Sequence, residues 1–337
     1  MDGSTTLPLY WNLSSAVKED RLDASVKLVD ILLDFQSQYA ANLPTTEGAE
    51  HDDEGSDLSP NGESVDPLTS INALNAGDVS YAIRRLCRGL ASSRGSSRLG
   101  FAVALTEVRP WCLVGSCLVN LTCQLQLLSR LNTVSSSQIV SLVLHISEVR
   151  GSMERSEIMD LCFARLFGLV SVIQSGLLYR ATLPTSSHKL ASSLSDFQTV
   201  WKELIALGMK KSWLRESCWW ALGLSLDGLQ AHGSIPWKTD AMQWTIDTVF
   251  EAEEPNLPSI PWTPDKLAIT LKLMRLVPSA EWESLLASTF QGGHPLALTN
   301  LGYIGRILRV CNSKVCQDIL QLSYPIGSSR GGTRHIH

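Results

Sequence analysis

Past Leu22, apolar residues recur every three to four positions along most of the chain and strict alternation is scarce, so the pattern predicts helices throughout. From Asp78 onward, Val79, Ala82, Ile83, Leu86 and Leu90 fall on one helical face. After a break at Ser92-Ser93, Phe101, Ala102 and Leu105 mark a second helix. The stretch "SSSQIVSLVLHISEV" opens on serines suited to a helix cap and aligns Ile139, Leu142, Val143, Ile146 and Val149. "ERSEIMDLCFARLFGLVSVIQSGLL" aligns Ile158, Leu161, Cys162, Leu166, Leu169 and Ile173 and stops near Gly176. Phe197, Val200, Trp201 and Leu204 form another stripe. Ser212 is placed to cap the next helix, which carries Trp213 and Leu214 and runs to Leu226. In "WTPDKLAITLKLMRLV" Thr263 stands at a cap and Pro264 in the first turn, where a missing N–H is no loss.

Ten or so helices of two to six turns, with short connections and no long heptad seam, define an all-α chain and suit stacked helical hairpins better than a four-helix bundle. No repeat of fixed length is found, so the expected α-solenoid is one of irregular hairpins. At 337 residues the chain exceeds what one compact core usually supports, which fits two domains or one elongated array. The predicted organisation is an N-terminal helical segment at 1–46, an acidic loop at 47–70, a helical array at 71–310 and an unstructured tail at 311–337.

Charge changes this picture in one place. The formal net charge is −5, yet "EGAEHDDEGSDLSPNGESVD", Glu47 to Asp66, holds eight acidic residues and no Lys or Arg. Without those eight, 25 acids face 28 bases, and the remainder is slightly basic. The segment is too polar to offset its ordering entropy, so it is expected to be a disordered spacer, with docking to basic partners as the alternative. Over the whole chain, 44% hydrophobic and 18% charged residues, with mean hydropathy +0.06, are those of a soluble folded protein.

The eight cysteines, at 87, 112, 117, 123, 162, 218, 311 and 316, include no C-x-x-C pair and have no histidine at ligand spacing, so no metal site is expected. Cys87, Cys162 and Cys218 sit in or beside apolar stripes, as buried small hydrophobes do, which points to a reducing compartment. "MDGSTTLPLYWN" has no charged stretch followed by an apolar run, so no secretory signal is expected. "WCLVGSCLVNLTCQLQLL", Trp111 to Leu128, is free of charge, but its five polar side chains make it a poor membrane span.

The chemistry of catalysis is hard to place on this sequence. There is no G-x-x-x-x-G-K-[ST], H-E-x-x-H or G-x-S-x-G, and the adjacent aspartates, Asp52 and Asp53, lie in the acidic segment. Two-metal phosphoryl chemistry needs carboxylates held rigidly together. The reading is therefore noncatalytic, with no cofactor and no small-molecule substrate.

Two basic clusters remain as candidates for nucleic-acid contact. Arg84, Arg85, Arg88, Arg94 and Arg98 occupy fifteen residues, and no acidic residue interrupts from Val79 to Ala104. Such a one-signed field suits phosphate backbones, which arginine grips with paired hydrogen bonds. The nearby aromatics, Tyr81 and Phe101, are expected to face the core, so contact would be nonspecific; the alternative is a solvated structural face. Lys210, Lys211 and Arg215 form a smaller patch, read as lying at a helix start, where lysine opposes the dipole. Trp213, Trp219 and Trp220 are expected in the core.

Four strings in order, "DVSYAIRRLCRGLASSRGSSRLGFAVALTE", "FARLFGLVSVIQSGLL", "KKSWLRESCWWALG" and "WTPDKLAITLKL", resemble the DNA polymerase phi family, the nucleolar group that includes Myb-binding protein 1A. The resemblance covers roughly Leu7 to Leu308. It implies an ARM/HEAT-like α-solenoid in the nucleus and nucleolus, associated with ribosomal DNA or pre-ribosomal RNA and nucleolar proteins, and acting as a scaffold in ribosomal RNA transcription and ribosome biogenesis. Family members are longer, with acidic and basic C-terminal regions, so this chain resembles their N-terminal part. A DNA-binding transcriptional regulator and a peptide-recognising transport adaptor are alternatives. A DNA-directed DNA polymerase, as the family name suggests, is disfavoured by the missing carboxylates.

Two departures stand out. In the family, "FAVALTE" reads directly into "LLSRLNTVSSSQIVSLV", whereas here nineteen residues, Val108 to Gln126, intervene. Their removal joins Phe101, Ala102, Leu105, Leu128 and Leu131 in one stripe, and Pro110 would break the helix. Codons for Val-Arg, Leu-Thr and the closing Gln can spell an intron donor, branch point and acceptor, so 108–126 is read as an aberrant insert. The tail "SYPIGSSRGGTRHIH" likewise departs from the family's continuation.

Overall fold

Eleven α-helices and no strand form among the described residues. The computed structural model describes residues 6–42, 71–72, 74–105, 127–181, 190–233, 235–250, 264–278, 280–282 and 284–285. The expectations for the acidic loop 47–70, for Val108–Gln126, for Thr263 and for the tail 311–337 fall outside those residues. The chain divides into two compact units, Met1–Leu207 with Ala231–Ile235, and Gly208–Gln230 with Pro236–His337.

In the first unit, α1 (Leu7–Asn12) carries Pro8 in its first turn and buries Tyr10, with Leu13 buried just after it. Arg21 then clamps the turn into α2 (Lys18–Ala41) by donating to the carbonyls of Ser15 and Ala16 at 2.8 and 2.9 Å. Ala24, Leu28, Val29 and Leu32 supply the buried stripe of α2, and Glu19 and Asp20 in its first turn complement the helix dipole. Next come α3 (Gly77–Gly89) and α4 (Gly95–Leu105). All five predicted stripe residues of α3 and its exit, Val79, Ala82, Ile83, Leu86 and Leu90, are buried, as are Phe101, Ala102 and Leu105 of α4.

Close backbone approach sets the position of α4. A Cβ on Gly100 would overlap the carbonyl oxygen of Leu13, and one on Gly89 would overlap the Phe101 ring. Beyond the undescribed residues, α5 (Leu127–Arg130) buries Leu127 and Leu128 and packs against α2 and α4. Arg180 secures it from a distance in sequence, donating to the carbonyls of Val134 at 3.0 Å and Leu128 at 3.2 Å.

The helices α6 (Ser136–Ile146) and α7 (Arg155–Gln174) form a second hairpin. The expected serine cap is a full capping box, with Ser135 and Gln138 each bonding the other's backbone N–H. The helix ends at Ile146, however, with the Ser147 hydroxyl donating to the Val143 carbonyl at 2.7 Å, and Val149, beyond that end, is exposed, not core. The α7 stripe ends where Gly176 takes a left-handed φ of 75°, a conformation that favours glycine. Between the hairpins, α3 packs on α6 and α4 on α7. Phe197, Val200, Trp201 and Leu204 of α8 (Leu194–Lys210) are fully buried, each such side chain contributing about 1.5–3 kcal/mol. Arg165 ties α6, α7 and α8 together through Ser147 and a 3.1 Å pair with Glu203.

In the second unit a 3₁₀ turn, Ser212–Leu214, precedes α9 (Arg215–Ala231). The predicted Ser212 cap is thus displaced by a turn that lets Leu214 reach the core. The unit continues with α10 (Lys238–Phe250) and α11 (Pro264–Leu276), whose start at Pro264 is as expected. Lys272 fixes α11 to α9 by donating to Asp227 at 2.8 Å and to the Gly223 carbonyl at 2.9 Å.

Candidate nucleic-acid interface

The arginine cluster sits on α3, the following turn and α4, and its members have different surroundings. Arg84 turns its Nε back onto the Ser80 carbonyl of its own helix at 3.1 Å. Arg85 donates to the Tyr81 hydroxyl at 2.7 Å and lies 4.2 Å above the Tyr10 ring, so it bridges α3 to α1. Burial pushes the Tyr10 phenol up to about 12, with Arg85 opposing that rise.

Arg98 is held most tightly. It donates to the Ser92 carbonyl at 2.6 Å and to Asp160 on α7 at 2.8 Å, with its guanidinium 4.4 Å above Phe163. The pair is 14% and 17% exposed, so water screens it little. These contacts lock α4 to α7. Arg88 and Arg94, by contrast, are exposed and their side chains make no hydrogen bond or ion pair among the described residues. Two cations, one ending α3 and one in the turn after it, are therefore available to an outside anion.

Tyr81 does not face the core as expected. It is 46% exposed, because it shares the α3 face of Arg84, Arg85 and Arg88 and not that of Val79, Ala82 and Ile83. Phe101 is buried, as expected. The four-residue spacing from Tyr81 to Arg85 was the signal that could have placed the ring outside.

The smaller cluster lies in the second unit. Lys210 is the last residue of α8, not the first of a helix, so its charge complements the dipole where the sequence reading had it opposed. Lys211 precedes the 3₁₀ turn and Arg215 begins α9; both are half-buried, and Lys210 is exposed. The tryptophans depart from the core expectation. Trp213 and Trp220 are 47% and 52% exposed and Met209 is 56% exposed, while Trp219 is intermediate. The buried stripe of α9 runs through Cys218, Ala221, Leu222, Ser225, Leu226 and Leu229, and position 220 lies off it. Large apolar identity had outweighed helical period.

Cys87, Cys162 and Cys218 are buried free thiols, and burial pushes Cys87 up to about 12. Among the described residues no three His, Cys, Asp or Glu side chains converge as a metal site, and no helix is long and apolar enough to cross a membrane.

A family model described as DNA polymerase phi matches residues 81–326. The chain is 26% identical to the rDNA transcriptional regulator pol5 of Schizosaccharomyces pombe over 235 residues, covering 70% of this chain and 21% of that protein. It is also 26% identical to the rDNA transcriptional regulator POL5 of Saccharomyces cerevisiae over 335 residues, covering 94% of this chain and 26% of that protein. The chain thus spans about a quarter or less of the length of these curated relatives. No solved structure matches it.

Proposed function

The chain belongs to the DNA polymerase phi family, and from that premise we propose that it is a noncatalytic scaffold in ribosomal DNA transcription and ribosome biogenesis, resident in the nucleus and nucleolus. The observation that carries the reading is the alignment of 94% of the chain with a protein named as an rDNA transcriptional regulator. The stacking of the α3–α4 hairpin on α6–α7, helix upon equivalent helix, supports the ARM/HEAT-like arrangement of irregular hairpins that belongs to the same proposal, over 71–310. Contact with ribosomal DNA is assigned to Arg88 and Arg94, which meet phosphates without reading bases.

Depletion of the protein followed by pulse-labelling of ribosomal RNA tests this, alongside imaging of a fluorescent fusion. A fall in precursor synthesis and nucleolar enrichment are expected. Unchanged labelling with a diffuse signal would overturn the reading. The polymerase alternative predicts metal-dependent nucleotide incorporation by the purified chain, and none is expected.

A further inference from the structure

We propose that the second unit carries a single-stranded RNA site in which Trp213 and Trp220 stack on bases while Lys210, Lys211 and Arg215 contact the phosphates between them. The inference rests on the transcription reading above: at a transcription unit, the transcript is the single strand within reach.

The tryptophans stand seven residues apart in sequence, Trp213 in the 3₁₀ turn before α9 and Trp220 in the second turn of that helix. Both are about half exposed, and Ser217, between them in sequence, is exposed as well. An isolated exposed tryptophan is unremarkable on a surface; two within eight residues, with an exposed Met209 four residues before the first, concentrate apolar surface that water covers at a cost. Three cations flank the tryptophans against one acid, Glu216.

That combination selects the ligand. Duplex DNA hides its base faces, so it would use the cations and leave the rings in water. A single strand presents both a phosphate charge and a π-face at each step, which aromatic platforms in a basic setting accept without regard to sequence. A protein partner fits less well, because interface cores are depleted in lysine and here Lys210-Lys211 lie within three residues of Trp213. Contact at this site is assigned to RNA.

The test uses the whole 337-residue chain with three fluorescein-labelled probes: a short oligouridylate, the matching oligodeoxythymidylate and a duplex of ribosomal DNA. The Trp213→Ala/Trp220→Ala variant should bind oligouridylate about 5- to 150-fold more weakly for each stacked base lost. Its duplex affinity should stay within about twofold of the parent, and Trp213→Phe/Trp220→Phe should restore most of the RNA binding, since phenylalanine also stacks. Oligouridylate should quench the intrinsic tryptophan fluorescence of the unsubstituted chain.

Unchanged RNA affinity in the alanine variant, or an equal loss for duplex, overturns the inference. Oligodeoxythymidylate should lose affinity in the alanine variant as oligouridylate does, since stacking and phosphate contact do not read the sugar; retained oligodeoxythymidylate affinity in that variant overturns the stacking. A variant that changes only in oligomeric mass makes the tryptophans a protein contact, which also overturns it. If duplex binding still depends on Arg88 and Arg94 while the tryptophans do not affect RNA, this inference alone fails; if no probe binds at low salt, the proposed nucleic-acid contact fails with it.

Discussion

Arg98→Ala should destabilise the first unit by about 3 kcal/mol, although the residue belongs to a basic cluster that reads as surface. The substitution removes an ion pair with Asp160 at 2.8 Å whose partners are 14% and 17% exposed, a 2.6 Å bond to the Ser92 carbonyl and a guanidinium seated 4.4 Å over Phe163. Breaking a buried pair by removing one partner costs about 3–5 kcal/mol, because the other charge stays buried without compensation. The remaining access to water places this pair near the low end of that range. Thermal denaturation followed by circular dichroism reads the effect: for a unit of this size roughly 2–4 °C is lost per kcal/mol, so the midpoint should fall by about 6–12 °C. Arg88→Ala, with no internal contact to lose, should stay within about 0.5 kcal/mol of the parent. A double-mutant cycle of Arg98→Met and Asp160→Leu should show coupling of about 1–3 kcal/mol, since the doubly apolar variant leaves no orphaned charge. If Arg98→Ala melts like Arg88→Ala, the ion pair does not hold α4 to α7 and the division of the cluster into holding and free arginines is wrong.

Three further outcomes follow from the packing. Gly100→Ala should cost about 1–3 kcal/mol in urea denaturation because its Cβ meets the backbone of Leu13, whereas Gly95→Ala, which meets nothing within 4 Å, should be neutral or stabilise by up to about 1 kcal/mol. Burial pushes the Tyr10 phenol from its ordinary 10.0 up to about 12, so its contribution to stability is complete below pH 10 and is lost as pH rises towards 12. The urea midpoint should fall between pH 9 and 11 for the parent, and by less for Tyr10→Phe; equal falls would contradict the assignment. Cys87, with its thiol near 12, is about one part in 10,000 thiolate at pH 8 and is buried, so mass spectrometry should find it unalkylated by iodoacetamide in the folded chain and labelled in urea; labelling under native conditions would contradict its burial.

The helices were legible because their stripes obey one period over many turns: α3 and α8 bury every residue that the spacing predicts. The Ser135–Gln138 capping box was legible in part, since serine at a helix start is a local signal. The errors have physical causes. Val149 continues the period beyond Ile146, but the helix ends there, with Ser147 as its cap. Tyr81 and Trp220 were assigned inward by residue type, although their positions on α3 and α9 turn them outward. Lys210, read at a helix start, instead closes α8, five residues before α9 begins, which reverses its relation to the dipole. The role of Arg98 could not be read at all, because Asp160 is 62 residues away and only the packing of α4 on α7 brings the two together.

The most direct test of the account is the salt dependence of binding to a ribosomal DNA duplex, measured by anisotropy for the parent and for Arg88→Ala/Arg94→Ala. Each phosphate contact contributes about 0.9 to the slope of log K against log salt, so the variant should lose about 1.8 units of slope and bind more weakly at low salt. An unchanged slope, with the fold intact by circular dichroism, would show that the free arginines do not contact nucleic acid and would leave the cluster a solvated face.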